Sequence, residues 1–251
     1  MPRDRDLAAR TWPEVGALLP DALVALLPIG STEPHGPHLP LETDVIISVE
    51  IARRAAARLQ ARGLASLVFP AVAYSVTDFS SDFPGCVGLS REASSALLGG
   101  ICRSALNQGF RAVCLVNSHL EPDHLAVLRE VSSRIAEETG KPVIFPDKTD
   151  RRWARLLGDE FRSGACHAGR YESSLVMAVD PSLVRETIRK GLPENPTSIG
   201  RRIVEGARSF REAGGDQAYF GDPAAATAAE GKATYDVLAG MIETAVVEAL
   251  S

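Results

Sequence analysis

The sequence predicts an α/β fold built on a mainly parallel β-sheet covered by helices on both faces. Three observations lead there. Short apolar runs alternate with longer stretches of helical character along the whole chain. The strand-like runs are continuously apolar, as strands buried on both faces are. The two richest clusters of ligand-type side chains follow such runs directly, and open parallel sheets carry their sites at the carboxyl ends of the strands.

Taken in order, residues 22–30 (ALVALLPIG) read as a buried strand ending in a loop. Residues 44–63 read as a helix with Thr43 as its N-cap and Gly63 as its stop. Residues 66–74 (SLVFPAVAY) form a second strand interrupted by Pro70, and 91–109 form a helix ending at Asn107-Gln108-Gly109. The third strand is 111–119 (RAVCLVNSH). A helix over 122–139, a short strand over 142–146 and a helical segment near 150–158 follow. A helix is expected over 172–179, and 222–251 closes the chain as a long alanine-rich helix, with Asp222 capping its start. Residues 191–221, rich in Gly and Pro, read as loop and as the most mobile segment. With no internal repeat or low-complexity linker, residues 1–251 are expected to form a single domain.

Composition narrows the function classes. Apolar residues at 45% and charged residues at 24% are ordinary for a globular protein. The net charge of −5, with no basic stripe, argues against a nucleic-acid partner. No apolar run approaches the length of a membrane span, and the start of the chain lacks the apolar segment of a signal peptide, so a cytoplasmic protein is expected. The four cysteines are far apart, as reduced thiols are in that compartment.

The stretch LLPIGSTEPHGPHLPLETD (26–44) places Glu33, His35, His38, Glu42 and Asp44 within twelve positions, although the chain has only five histidines. Glu33 and His35 are two apart, as are His119 and Glu121, so each pair points one way in extended backbone. Imidazole plus carboxylate without thiolate suits Zn²⁺, Mn²⁺ or Fe²⁺. By spacing alone these residues fit either a charged, solvated turn or a metal site. His124 reads as a capping or surface residue. No G-x-S-x-G elbow or phosphate loop is present.

At these residues the sequence resembles the creatininase (creatinine amidohydrolase) family. The resemblance runs through PIGSTEPHGPHLPLETD, DFPGCVGLS (82–90), VNSHLE (116–121), CHAGRYESSLVMAV (166–179) and GDPAAATAAEG (221–231), which together span most of the chain. It implies a three-layer αβα sandwich, a homo-oligomer (often a hexamer) and two divalent metal ions per chain, Zn, Mn or Fe. It also implies that Glu33 and His119 hold one ion, His35 and Glu121 the other, and Asp44 both, with His167 and Glu172 as catalytic residues beside them. The implied activity is a metal-dependent amidohydrolase that cleaves an amide C–N bond of a small cyclic or linear amide through a metal-bridging hydroxide. The alternatives are a creatininase-like peptidase or deformylase in a biosynthetic pathway, or a non-catalytic metal-binding scaffold. Where the family often has a Glu-His pair, this chain has Thr77-Asp78-Phe79-Ser80. Asp78, Trp153 and Tyr171 are the residues expected to line the substrate pocket.

Overall fold

The computed structural model describes residues 4–21 and 23–251; Ala22, the expected first residue of the first strand, lies outside them. Four parallel strands, β1 (Val24–Ile29), β2 (Ser66–Val68), β3 (Ala112–Asn117) and β4 (Val143–Ile144), form a sheet in the order β2-β1-β3-β4. In chain order the α-helices among the described residues are α1 (Trp12–Leu18), α2 (Thr43–Ala61), α3 (Arg91–Asn107), α4 (Pro122–Thr139), the short α5 (Arg151–Ala154) and α6 (Asp159–Ser163), α7 (Arg170–Val179), α8 (Glu186–Gly191), α9 (Ile199–Val204) and α10 (Ala228–Leu250).

Side chains two apart in a strand share a face, and here both faces are covered. Val24 and Leu26 of β1, with Ala112, Cys114 and Val116 of β3, pack under α2, α7 and α10. Ala25, Leu27 and Ile29, with Val113 and Leu115, pack under α3 and α4. This is the expected three-layer αβα arrangement. β1 and β3 pair along their full length, from Val24 opposite Ala112 to Ile29 opposite Asn117. That register makes the two central strands end side by side, so the loops beginning at Gly30 and Ser118 leave the sheet as neighbours.

Several local expectations are corrected. Glu42 occupies the N-cap position of α2 without a side-chain bond, while Thr43 starts the helix and donates its hydroxyl to the Pro40 carbonyl. The second strand stops at Val68, but pairing resumes beyond Pro70, where Val72 donates its N–H to the Pro28 carbonyl. Pro70 has no N–H, so the chain bypasses it and returns. The segment near 150–158 breaks at Gly158 into α5 and α6. The closing helix is also divided: Asp222 caps a 3₁₀ turn over Pro223–Ala225, and Thr227, in extended conformation, caps α10 through the N–H of Glu230. Residues 191–221 contain α9, and Phe210, Ala213, Ala218 and Phe220 bury themselves with Ala165 in a small core of their own.

α10 packs closely on α7, and Gly231 sets its closeness. A Cβ at Gly231 would lie 1.9 Å from the Ser174 carbonyl oxygen, whereas one at Gly240 would meet only Arg58 Nη2 at 3.5 Å. Gly231→Ala is therefore expected to destabilise the protein by about 1–3 kcal/mol through overpacking. Gly240→Ala, in the same helix, should stabilise it by up to about 1 kcal/mol through helix propensity. Urea midpoints of the two variants test this; equal effects of one sign would refute the packing account.

Candidate metal centre

Chain geometry at the ends of β1 and β3 brings the acidic and imidazole groups together. A Cβ at Gly30 would lie 2.6 Å from the Val45 nitrogen, so only glycine lets the end of β1 pass beneath the start of α2, where Asp44 sits. The loop between them is pinned by backbone bonds from Glu33 N–H to Leu41 and from Gly36 N–H to Ala218. Within it, Glu33 and His35 are both buried.

The histidines are oriented by backbone carbonyls. His35 Nδ1 donates to the Glu33 carbonyl (3.1 Å), which leaves Nε2 facing inward without a hydrogen-bond partner. His119 Nε2 donates to the Val76 carbonyl (2.8 Å), which turns Nδ1 toward Glu33 Oε1 (3.0 Å) and Asp44 Oδ2 (3.2 Å). Asp44 reaches both histidines, since its Oδ1 lies 3.5 Å from His35 Nε2. Glu172, near the start of α7, brings Oε2 to 3.6 Å from the same nitrogen and accepts the Ala168 N–H at 2.7 Å. Ala168 holds a φ of +51°, a backbone conformation that costs a non-glycine residue about 1–3 kcal/mol and directs this N–H at the carboxylate.

Two three-residue groups therefore converge on Asp44: Glu33, Asp44 and His119, and His35, Asp44 and Glu172. Glu33, His35 and His167 make a third such group. The electrostatics call for positive charge. Burial alone would push His35 down, but the carboxylates of Asp44, Glu172 and Glu33 outweigh it and hold the imidazole up at about 10. Burial likewise opposes ionisation of Glu33, yet His119 beside it keeps the carboxyl down at about 2. Glu172 is pushed up to about 7 by burial and by the neighbouring Asp44 charge, which together outweigh the pull of His35. Three buried carboxylates, with His35 Nε2 and Asp44 Oδ2 lacking hydrogen-bond partners, form a donor set of the kind that divalent cations take.

The remaining expected site residues fall in different places. Glu121, expected beside His35, accepts the N–H groups of Asp78 (3.0 Å) and Phe79 (3.2 Å) instead. Its nearest imidazole atom is His119 Nε2 at 4.0 Å, on the ring edge turned away from Glu33 and Asp44. Glu172, expected as a catalytic group, takes the place among the candidate ligands that Glu121 was expected to fill. His167 lies beside the cluster, its ring 4.5 Å from His35 and 4.3 Å from Phe210 and its Nε2 2.9 Å from the Pro34 carbonyl.

A cavity of about 670 Å³ opens onto this cluster. Its lining includes Glu33, Asp44, His119, Glu121, His167 and Glu172, and also Phe79, Phe161, Ile199, Ile203 and Phe210. Asp78, Trp153 and Tyr171 are not among its lining residues. Asp78 is exposed, Trp153 stacks under the Arg152 guanidinium, and Tyr171 is buried against Phe161. A second cavity of about 640 Å³, lined by α1, α3 and Phe69, carries no titratable side chain.

Thr77 and Ser80 carried no role in the sequence reading, and His124, expected as a capping or surface residue, is instead buried. Thr77 and Ser80 both donate hydroxyls to Glu33 Oε2. His124 is fully buried, bonded through Nε2 to Asn117 Oδ1, and Asn117 in turn clasps the backbone of His119. His38 bonds Ser173 at 2.8 Å and so ties the loop to α7. The carboxyl-end argument applied to the second strand, whose TDFSS run follows it, would have found Thr77 and Ser80.

The fold and much of the sequence are found in known proteins. The family model described as Creatininase: Creatinine amidohydrolase matches residues 8–246. Mycofactocin precursor peptide peptidase of Mycobacterium tuberculosis (strain CDC 1551 / Oshkosh) is 34% identical over 227 residues, 88% of this chain and 82% of that protein. Creatinine amidohydrolase of Pseudomonas putida is 25% identical over 186 residues, 69% of this chain and 71% of that protein. The crystal structure of creatinine amidohydrolase (creatininase) superposes with a TM-score of 0.78 at 21% identity, covering 98% of both chains. Solved creatininases of the same fold include a mutant of Zn-Zn type and a Mn form. With a family match over nearly its whole length and the family's fold around its buried carboxylates, the chain belongs to the creatininase family of hydrolases.

Proposed function

We propose that this protein is a metal-dependent hydrolase of a peptide amide bond. The observation that carries this reading is the cavity. At about 670 Å³ it lies well within the range of roughly 300–1,000 Å³ typical of sites for drug-sized ligands, ample for more than a small cyclic amide. Its aromatic and aliphatic walls suit the side chains of a peptide, and its polar lining contains the candidate ligands. The 34% identity to a peptidase, against 25% to a creatinine amidohydrolase, supports the same choice.

In this reading Glu33, Asp44 and His119 would hold one ion, and His35, Asp44 and Glu172 the other, with Zn²⁺ or Mn²⁺ matching the donor set. When bound, the ions supply Lewis-acid polarisation of the scissile carbonyl and a hydroxide nucleophile at neutral pH. The chain's own groups do the rest. Burial and the charge of His35 push His167 down to about 4, so its imidazole is neutral near pH 7. Its Nε2–H is engaged by the Pro34 carbonyl, which leaves Nδ1 as an acceptor able to take a proton and return it to the leaving amine. Thr77 and Ser80 fix the Glu33 carboxylate, and the aromatic wall of Phe79 and Phe210 excludes water.

Three outcomes are expected. Asp44→Ala and Glu172→Gln should each lose bound metal by elemental analysis, Asp44→Ala losing all activity, while Glu121→Gln keeps both equivalents. An active, metal-replete Asp44→Ala protein would falsify the centre, and metal loss in Glu121→Gln would restore Glu121 to the ligand set. Thr77→Val should weaken metal binding about 10–100-fold by releasing Glu33, with little change in the melting temperature. Short peptides should be hydrolysed, in a chelator-sensitive manner, with kcat/KM roughly tenfold or more above that for creatinine. Efficient turnover of creatinine with inert peptides would overturn the peptide reading.

A further inference from the structure

The lining of the cavity carries charge of both signs. Besides its acidic groups it includes two cations, Arg162 of α6 and Arg201 of α9. Arg201 is neutralised within its own helical segment, its Nε 2.8 Å from Glu205 Oε1. Arg162 has no carboxylate within ion-pair distance among the described residues. The two acidic residues next to it are already engaged. Asp159 pairs with Arg170. Glu160 turns inward and accepts three backbone N–H groups, from Arg170 (2.9 Å), Tyr171 (2.6 Å) and Asp222 (2.7 Å).

Those same bonds fix where α6, which carries Arg162, stands. The Glu160 carboxylate ties α6 to the start of α7, the helix that carries Glu172. Phe161, nearly buried, packs on Tyr171 at 5.1 Å between ring centres. At the other end of α6, the Gly164 carbonyl accepts the N–H of Ile199, which joins α6 to α9. An unpaired arginine on an open surface has no meaning beyond solubility. Arg162 is exposed, but it is among the residues that line the cavity with the candidate metal ligands, on a helix braced against the element that supplies one of them.

We propose that Arg162 binds a carboxylate of the substrate, so that the preferred substrates are peptides with a carboxylate close to the scissile amide. This rests on the peptide-hydrolase reading. The guanidinium fork matches a carboxylate in geometry and in charge. It also orients the substrate: a carboxylate is repelled by Glu33, Asp44, Glu121 and Glu172, and holding it at Arg162 leaves the amide to approach the acidic groups. The carboxylate has two sources, the C-terminal α-carboxylate of the peptide or an Asp or Glu side chain.

The test uses the full-length, metal-loaded protein and one cleavable peptide in three forms: with free C-terminal carboxylate and an acidic side chain, with amidated C-terminus, and with the acidic side chain replaced by its amide. For the two forms that carry the bound carboxylate, Arg162→Gln should raise KM about 10–100-fold with kcat little changed. Arg162→Lys should recover part of the loss. The form lacking that carboxylate should be insensitive to the substitution, and whichever form this is identifies the source. Melting temperatures equal to wild type confirm that the variants fold. If all three peptides are cleaved equally well by wild type and Arg162→Gln, the role of Arg162 is wrong while the peptide-hydrolase reading stands. If wild type cleaves none of them, that reading fails and the role of Arg162 fails with it.

Discussion

Three carboxylates held against one another inside a protein set the terms for the rest of this structure. Glu33, Asp44 and Glu172 are each less than 5% exposed. Like charges in that setting are costly, because water is no longer there to screen them and each ion has lost its hydration. The protein meets the cost in part with hydrogen bonds, from Thr77 and Ser80 to Glu33 and from the Ala168 amide to Glu172. It meets more of it with His35 and His119, both turned toward the acids by backbone carbonyls. What is left is a concentrated demand for positive charge, which is the physical basis for assigning metals to the site.

Such an arrangement relaxes unless the scaffold prevents it, and the scaffold is built to do so. The full-length pairing of β1 with β3 fixes the relative height of the two ligand-bearing loops. Gly30 lets the start of α2 come down onto the first loop, and His38 ties that loop to Ser173 of α7. The opposite side of α7 is clamped by α10 through the close approach at Gly231. Each candidate ligand is thus supported by at least two elements, and the strained Ala168 backbone persists because both its neighbours are held.

The walls of the cavity have a different origin. They come largely from α6, α9 and the segment around Phe210, late in the chain, together with Phe79 of the loop after β2. Separating ligands carried by the central sheet and its helices from a cavity wall carried by peripheral segments lets one fold act on different amides. It is consistent with a family that includes both a creatinine amidohydrolase and a peptide peptidase among the relatives of this chain.

Sequence by itself determined the sheet and most helices, and it singled out most of the candidate ligands. Continuous apolar runs mark strands buried on both faces, and short-range spacing drew attention to Glu33, His35 and His119 in the loops that leave β1 and β3 and to Asp44 at the start of α2. Glu121 looked equivalent because residues two apart share a direction in extended backbone. The chain turns into α4 at Pro122, however, and the Glu121 side chain is captured by the amides of Asp78 and Phe79. The carboxylate beside His35 is Glu172, more than a hundred residues from it, and only the packing of α7 against α2 brings it there. Trp153 and Tyr171 were selected for residue type, but whether an aromatic ring faces a cavity or the core depends on which helices meet around it. Arg162 shows the same limit: Glu160 and Asp159, two and three positions before it, are claimed by other contacts, which only the folded structure reveals.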